Sequence, residues 1–332
     1  MRLGMGRAAA LTAAAVVMAS IALMAGNATA QGLVSGGKPM RIVVAFASGG
    51  PVDVPARALA QRLTDALGQQ VIVENIPGAG GLIGADAVAK SAPDGHSMLI
   101  TTSALSIQAA SVKKMPFDPL KDLASVGLVA VGDLLLVMNP RIPAKNAREL
   151  FAAAKAKPGA LTFASAGIGS STHLAGELLK MQAAIDIVHL PYKGVAPAVT
   201  DLIGGHVDLL FSSVAAMLPQ IKSGKVRAIA LASLTRSSRL PDLPTFNEDG
   251  LPGFEVASRN GIMVSGSTPR DTIVRLNAAL VKILATQDTR DFFASNGLQA
   301  VSSTPEQFAA ELRAEITKWT TVIKTARLEL DQ

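Results

Sequence analysis

The sequence contains no cysteine, and it has only one tryptophan and one tyrosine among 332 residues. No disulfide can form, so the fold must obtain its stability from buried apolar surface. The four histidines are not closely paired along the chain, which disfavours a histidine-based metal site, and we expect neither a metal nor a cofactor. Scattered basic residues and few aromatic rings also disfavour nucleic-acid binding, despite a net charge of +6.

Several sequence motifs of enzymes are also missing. The chain has no Gly-x-Ser-x-Gly elbow, no Gly-Lys-[Ser/Thr] phosphate loop and no His-Glu-x-x-His pair. The pair Gly167 and Gly169 lacks the third glycine of the dinucleotide fingerprint. An exported hydrolase or a dinucleotide-binding protein is therefore the weaker alternative, and we expect a protein that is not an enzyme.

The first 30 residues have the pattern of a secretory signal peptide. Arg2 and Arg7 form a basic start, residues 8–25 are apolar and uncharged, and residues 28–30 are Ala-Thr-Ala. A membrane anchor is the competing interpretation, but the alanine-rich run followed by small residues favours export with cleavage after Ala30. We therefore expect the mature chain to span residues 31–332.

Short β-branched runs alternate with alanine- and leucine-rich helical patterns along the mature chain. This alternation is typical of parallel sheets covered by helices, in an α/β fold. A long apolar run at residues 125–138, broken at Gly132 and Asp133, and a second at residues 254–264 predict two crossings between sheets. Two lobes are therefore expected, residues 31–132 plus 257–332 and residues 133–256, with the ligand in the cleft between them.

Three glycine-rich turns each follow a β-type run and precede a helical pattern. Unpaired N–H groups and the positive end of a helix dipole would favour an anion at such turns, so they predict a cradle for a carboxylate or phosphate. The three turns are residues 48–53, residues 77–84 and residues 167–173.

These turns and the motifs around them resemble the Bug-type receptors of tripartite tricarboxylate transporters, and the likeness covers nearly the whole mature chain. The resemblance implies a periplasmic type II binding-protein fold that captures a small carboxylate and presents it to a membrane permease. The matching motifs are Gly49-Gly50-Pro51-Val52-Asp53, Asn75-Ile76-Pro77-Gly78-Ala79-Gly80-Gly81, Pro93-Asp94-Gly95, Gly169-Ser170-Ser171-Thr172-His173, His189-Leu190-Pro191-Tyr192-Lys193-Gly194 and Gly204-Gly205-His206-Val207-Asp208.

In that family two loops hold the proximal carboxylate, largely through backbone amides and ordered water. Here they correspond to residues 47–53, with Ala47, Ser48 and Gly49, and to residues 167–173, with Gly167 and Gly169. The hydroxyls of the second loop either donate to the ligand or cap the helix, and the two roles can coexist. The hydroxyl residues are Ser170, Ser171 and Thr172.

Each of the other candidate residues has a functional and a structural interpretation. Asp53 either accepts from a ligand or stabilises the first helical turn, and Gly80 either offers an amide or allows close packing. His173 either donates to the anion or makes a cap or core bond. Tyr192 either faces the ligand or only satisfies its hydroxyl. Asp208 requires a partner or the cleft, because burying it alone would be costly.

The chain departs from the family pattern at points that bear on specificity. Ala47-Ser48 replaces a usual proline pair, and Ser258-Arg259 stands where a tryptophan-aromatic pair is frequent. We hypothesise that Arg259 engages a second anionic group and favours a di- or tricarboxylate; the alternative is an exposed arginine at a hinge. A carboxylate-sensing subunit of a membrane kinase is a second candidate function, and a monomer is expected.

Overall fold

The computed structural model describes residues 38–49, 52–237 and 239–328. The predicted signal peptide and its cleavage site lie outside these residues, as do Gly50 and Pro51 of the first glycine-rich turn. No helix in the described ranges is long and apolar enough to cross a membrane.

The first part of the described chain alternates three strands with three helices. Odd and even residues of the first strand face opposite sides, so Ile42 and Val44 enter one apolar core while Val43 enters another. The elements are β1 (Met40–Val44), α1 (Asp53–Leu67), β2 (Val71–Asn75), α2 (Leu82–Ala89), β3 (Ser97–Thr101) and α3 (Ser103–Ser111).

The next part repeats this arrangement after one long strand and a helix. Asn146 and Ser170 cap two of its helices by accepting N–H bonds through their side chains. The elements are β4 (Leu123–Met138), α4 (Ala147–Ala156), β5 (Thr162–Ser165), α5 (Ser171–Ala183), β6 (Val188–Pro191), α6 (Val195–Gly204), β7 (Leu209–Ser213), α7 (Val214–Lys222) and β8 (Arg227–Leu231).

A returning strand and three helices complete the described chain. The last helix begins with a capping box, in which Thr304 and Gln307 bond to each other's backbone, and with Pro305 at its first position. The elements are β9 (Ala257–Ser265), α8 (Arg270–Leu284), α9 (Gln287–Ser295), β10 (Gln299–Ala300) and α10 (Pro305–Thr325).

The strands form two sheets that share β4. The first sheet has the order β2-β1-β3-β9-β4, with β10 beyond β4, and the second has the order β6-β5-β7-β4 with β8 beyond β4. Each sheet thus contains a parallel triplet joined to antiparallel strands. β4 pairs with β9 as far as Asp133 and with β7 from Leu134 onward.

The predicted α/β fold with helices flanking its sheets is confirmed. β4 continues through Gly132 and Asp133 as one strand, and its pairing changes from β9 to β7 directly after Asp133, where the sequence places the first crossing between sheets. The predicted lobe boundaries stay a prediction. One feature departs from them: Trp319 and Val322 of α10 pack into the core of the second sheet, whereas Phe308 and Leu312 of the same helix pack against the first.

Candidate functional site

The carboxyl ends of both parallel triplets face the point where β4 passes between the sheets. Thr101, the last residue of β3, pairs with Gly261 of β9, and Ser213, the last residue of β7, pairs with Leu134 of β4. Ligands of open α/β sheets bind outside the carboxyl ends of the strands. The loops after β1 and β5 therefore belong to edges that face the same crossing.

The loop after β1 is fastened to α1 by Asp53. This carboxylate is 2% exposed and accepts from Gly49 N at 2.9 Å and from Asn75 Nδ2 at 2.8 Å. Arg57 donates to it through Nε at 2.8 Å and through Nη2 at 3.1 Å. Asp53 thus joins the loop, the helix and the end of β2, while Ala47, Ser48 and Gly49 remain exposed.

The hydrogen bonds to Asp53 determine its charge. The Arg57 side chain, with the Gly49 N–H and Asn75, lowers the pKa of Asp53 from 3.8 to about 2, although burial acts in the opposite direction. The carboxylate is therefore ionised at neutral pH. Since both oxygens already accept from the protein, the geometry favours a positioning role for Asp53 over direct contact with a ligand.

The second glycine-rich turn lies beside α3. Gln108 of this helix donates to the carbonyl of Gly80 at 2.7 Å and to that of Ala79 at 3.2 Å. A recess of about 10 Å³, the size of one water molecule, is lined by Phe46, Gly80 and Thr102 among others. The structure thus brings Gly80 close to the loop after β1 and to the first turn of α3, which Thr102 caps.

The loop after β5 is fastened by hydroxyl groups. Ser170 is the N-cap of α5: its Oγ accepts from His173 N at 3.2 Å and donates to the Gly167 carbonyl at 2.7 Å. Thr172 is buried, and its Oγ1 accepts from Ala166 N at 2.9 Å. Ser170 therefore has the capping role that the sequence allowed, whereas the Thr172 hydroxyl bonds to the loop backbone instead.

The buried side chain of His173 also holds the loop after β5. Nδ1 of His173 accepts from Gly169 N at 3.1 Å. Its ring stacks on that of His189, with centroids 3.9 Å apart, and His189 Nε2 lies 2.7 Å from Ser165 Oγ. Burial, reinforced by His189 and Lys180, lowers the pKa of His173 from 6.5 to about 4, and burial does the same for His189. Both rings are therefore neutral at pH 7.

The side chain of His173 consequently orients an amide and adds no positive charge to an anion. The opening of α5 leaves the N–H groups of Ser171 and Thr172 without an intrahelical acceptor, whereas Ser170 satisfies those of His173 and Leu174. With Gly167 at φ 135° and Gly169 at φ 75°, the backbone adopts turns that side chains rarely permit. Chemically, this end of the helix can accept a carboxylate.

The side chain of Tyr192 has its hydrogen-bond partner within the part of the chain that forms the second sheet. Its hydroxyl donates to Asp201 Oδ2 at 2.7 Å, and burial with Asp201 raises its pKa to about 12. Its backbone N–H donates to the Ser165 carbonyl at 3.1 Å. Tyr192 thus lies beside the second loop, with its hydroxyl already satisfied.

Asp208 was predicted as a site residue, and the structure places it away from the site loops. It precedes β7, at the amino end of that strand, and accepts from Thr162 N at 2.8 Å and from Arg141 Nη2 at 2.7 Å. Thr162 begins β5, so this cluster lies at the edge of the sheet opposite to the loop after β5. The partner expected for this buried carboxylate is present, and Asp208 leaves the site.

Arg259 is the second correction. Its guanidinium forms ion pairs with Glu255 at 2.6 Å, Glu311 at 3.2 Å and Glu315 at 3.6 Å. Three carboxylates around one arginine give a negative surrounding that repels a second ligand carboxylate. We therefore withdraw Arg259 as a ligand residue; it anchors β9 to α10.

Several residues that hold the loops were not among the predicted site residues. Ser165 and His189 support the second loop, and Asn75 supports the first. Asn75 and His189 belong to motifs that carry the family resemblance, whereas only the general rule that buried polar groups need partners points to Ser165. In the described ranges, no group of three His, Cys, Asp or Glu side chains is arranged to hold a metal.

The chain is similar to known proteins over most of its length. A family model described as "Tripartite tricarboxylate transporter family receptor" matches residues 55–328. Protein BugT of Bordetella pertussis is 38% identical over 88% of this chain and 90% of its own length. The structure of R. palustris Rpa4515 with adipate has a TM-score of 0.73 and 31% identity, covering 87% of this chain and 97% of that one.

A further solved structure is that of MatC from Rhodopseudomonas palustris with bound malate. It has a TM-score of 0.70 and 31% identity, and it covers 86% of this chain and 99% of that chain. The residues that the family model matches include the second site loop and begin two residues after the first.

Proposed function

Because the chain belongs to the tripartite tricarboxylate transporter receptor family, we propose that it captures a small di- or tricarboxylate between its two sheets and delivers it to a membrane permease. The predicted Bug-type membership is confirmed. Receptors of this family are periplasmic. For this chain, the proposal includes export to the periplasm with cleavage of the signal peptide after Ala30. The proposed role involves no catalysis, and the proposed acting form is a monomer.

The observation that carries the proposal is that two loops, each held in place by hydrogen bonds, lie at sheet edges that face each other. The loop after β1 begins a helix at Asp53, and the loop after β5 begins one at Ser171. Helix N-termini stabilise anions through free N–H groups and the helix dipole. Two relatives, bound to adipate and to malate, are solute-binding proteins for dicarboxylates.

The preparation of these loops matters for affinity. Each loop is held by several internal hydrogen bonds, so binding would cost little ordering of the backbone. His173 is neutral and Asp53 is negatively charged at pH 7, so neither side chain attracts an anion. Amides and hydroxyls of the loops would therefore hold the ligand. Closure of the two halves around the carboxylate is the mechanism that this arrangement supports best.

The experiment is a thermal-shift panel on purified residues 31–332 after removal of bound ligand by partial unfolding. The panel contains mono-, di- and tricarboxylates, amino acids, aromatic acids and NAD. A ligand at about 100 times its Kd adds about 2.7 kcal/mol to the free energy of unfolding. We expect a selective shift of several degrees with one or more dicarboxylates or tricarboxylates.

A matched pair of glycine variants localises the effect. Gly167→Ala places a side chain at φ 135° in the second loop, 3.3 Å from the Tyr192 carbonyl, whereas Gly224→Ala changes a glycine at φ 69° with open space around it. The first variant should lose the carboxylate shift and the second should keep it. A shift with NAD alone, or equal shifts in both variants, would contradict the proposal.

A further inference from the structure

A cavity of about 520 Å³ lies on the side of the crossing strands away from the two site loops. Its walls come from Asp133 of β4, from the segment after β8, and from α9 and β10. β8 and β10 both pair with β4 on the side away from β7 and β9. β4 and β9 therefore stand between this rear cavity and the loops after β1 and β5.

The rear cavity is lined by three arginines from two separate parts of the chain. Arg236 and Arg239 follow β8 in the second sheet, whereas Arg290 lies on α9, which packs on the first. Arg236 is bonded to Glu248 at 3.0 Å. Among the ion pairs of the described residues, none engages Arg239 or Arg290. Two arginines without an ion-pair partner among the described residues thus line the same cavity.

The single carboxylate in the lining does not neutralise them. Burial raises the pKa of Asp133, and only a hydrogen bond with Ser237 acts against it. No ion pair among the described residues joins Asp133 to Arg236, Arg239 or Arg290. Three guanidinium groups and one carboxyl group leave the lining with an excess of positive charge.

We propose that the rear cavity binds a small, multiply charged oxyanion, of the chemistry shared by organic polycarboxylates and inorganic phosphate. Guanidinium groups present paired N–H donors that match the oxygens of both, and Thr235 and Ser237 add hydroxyls to the lining. The volume lies in the range of small-molecule sites. An anion held by Arg239 and Arg290 together would link the two halves of the molecule behind the crossing.

The test is isothermal titration of residues 31–332 with citrate and, separately, with inorganic phosphate, which distinguishes the two sources of the anion. The key variant is Arg239→Ala with Arg290→Ala, and the matched control is Arg275→Ala, an exposed arginine of α8 outside the cavity. Gly167→Ala serves as the variant of the carboxylate site. Thermal unfolding of each variant reports whether its fold is retained.

We expect at least one of the two anions to bind wild type, Arg275→Ala and Gly167→Ala with similar affinity and to bind the double variant at least tenfold more weakly. Arg239→Lys with Arg290→Lys, which keeps the charge, should recover part of the affinity. Unchanged binding by the double variant would overturn the proposal, as would loss of all binding in Gly167→Ala. Absence of binding of both citrate and phosphate to wild type would overturn it too.

Discussion

The loops after β1 and β5 occupy equivalent positions in the two sheets but are held by different chemistry. The first loop depends on an ionised carboxylate, Asp53, in contact with the half-exposed Arg57. The second depends on neutral groups, with His173 and Thr172 both buried. Equivalent topology therefore does not require equivalent side chains, because any group that fixes the backbone amides can prepare the loop.

Because the two loops are held by different groups, we expect them to respond to different solution conditions. A charged network responds to salt and to acid near the pKa of its carboxylate. A buried neutral network responds when its histidines become protonated. The two loops can consequently be weakened one at a time, which allows their contributions to be separated.

The largest expected effect is a loss of stability in mild acid, caused by the second loop. His173 and His189 have pKa values of about 4 in the folded protein and 6.5 as reference. Between these values the unfolded chain binds more protons, so the free energy of unfolding falls as the pH is lowered from 6.5 to 4. Urea unfolding at pH 7 and pH 4.5 should differ by about 5 kcal/mol for the two histidines together.

Two variants decide whether these histidines are the cause. His173→Gln with His189→Gln should flatten the pH dependence, whereas His206→Gln, at an exposed histidine, should leave it unchanged. The first loop should not contribute in this window, since the pKa of Asp53 falls from 3.8 to about 2 and its stabilisation is lost only as the pH falls through that range. An unaltered pH dependence in the double variant would refute the assignment.

The next effect concerns the first loop. Asp53→Ala removes the acceptor for Gly49 N and Asn75 and the partner of Arg57, and should lower the free energy of unfolding by about 2 kcal/mol. Asp65→Ala, at an exposed carboxylate of the same helix, should change it by less than about 0.5 kcal/mol. Chemical denaturation measures both. Similar losses in the two variants would mean that Asp53 does not fasten the loop.

A smaller effect should follow loss of one hydroxyl from the second loop. Thr172→Val leaves the Ala166 N–H without its acceptor, and we expect about 1 kcal/mol of destabilisation. Thr172→Ser retains the hydroxyl and should behave more like wild type. If Thr172→Val, which keeps the methyl group, leaves the free energy of unfolding unchanged, the hydrogen bond does not hold the loop.

The smallest expected effect concerns specificity. Arg259→Ala removes ion pairs with Glu255, Glu311 and Glu315, but should change the ratio of dicarboxylate to monocarboxylate affinity by less than about twofold. Direct titration of both ligand classes measures this ratio. A selective loss of dicarboxylate binding would restore Arg259 to the site.

The fold was largely predictable because its signals are local. The runs at residues 41–45 and 161–164 predict strands that agree with β1 and β5 to within one residue at each end. The pair Thr304-Pro305 is typical of a helix start, and α10 begins at Pro305. Helix α3 was missed because the sequence Ser103–Ser111 combines serine and alanine without a clear apolar stripe. The packing of α10 against both sheets was not predicted, because the sheet that each face of a helix contacts depends on the tertiary arrangement.

The site loops stay a prediction, whereas the partners of some predicted side chains are visible in the structure. Glycine-rich turns before helices mark the loops because few other residues permit such backbone conformations. The sequence does not show where a charged side chain finds its partner. Arg259 meets three glutamates and Asp208 meets Arg141, and these pairs join residues 4 to 67 positions apart.

The most direct test of the central claim, that both loops hold one carboxylate, is a titration followed by backbone amide chemical shifts in ¹⁵N-labelled residues 31–332. The titrant is malate or adipate, whichever gives the larger thermal shift. We predict that the amides of Gly49 and Thr172 shift together along one binding curve. Shifts confined to one loop, or found only at Gln299 and Ala300 of the rear cavity, would contradict the account.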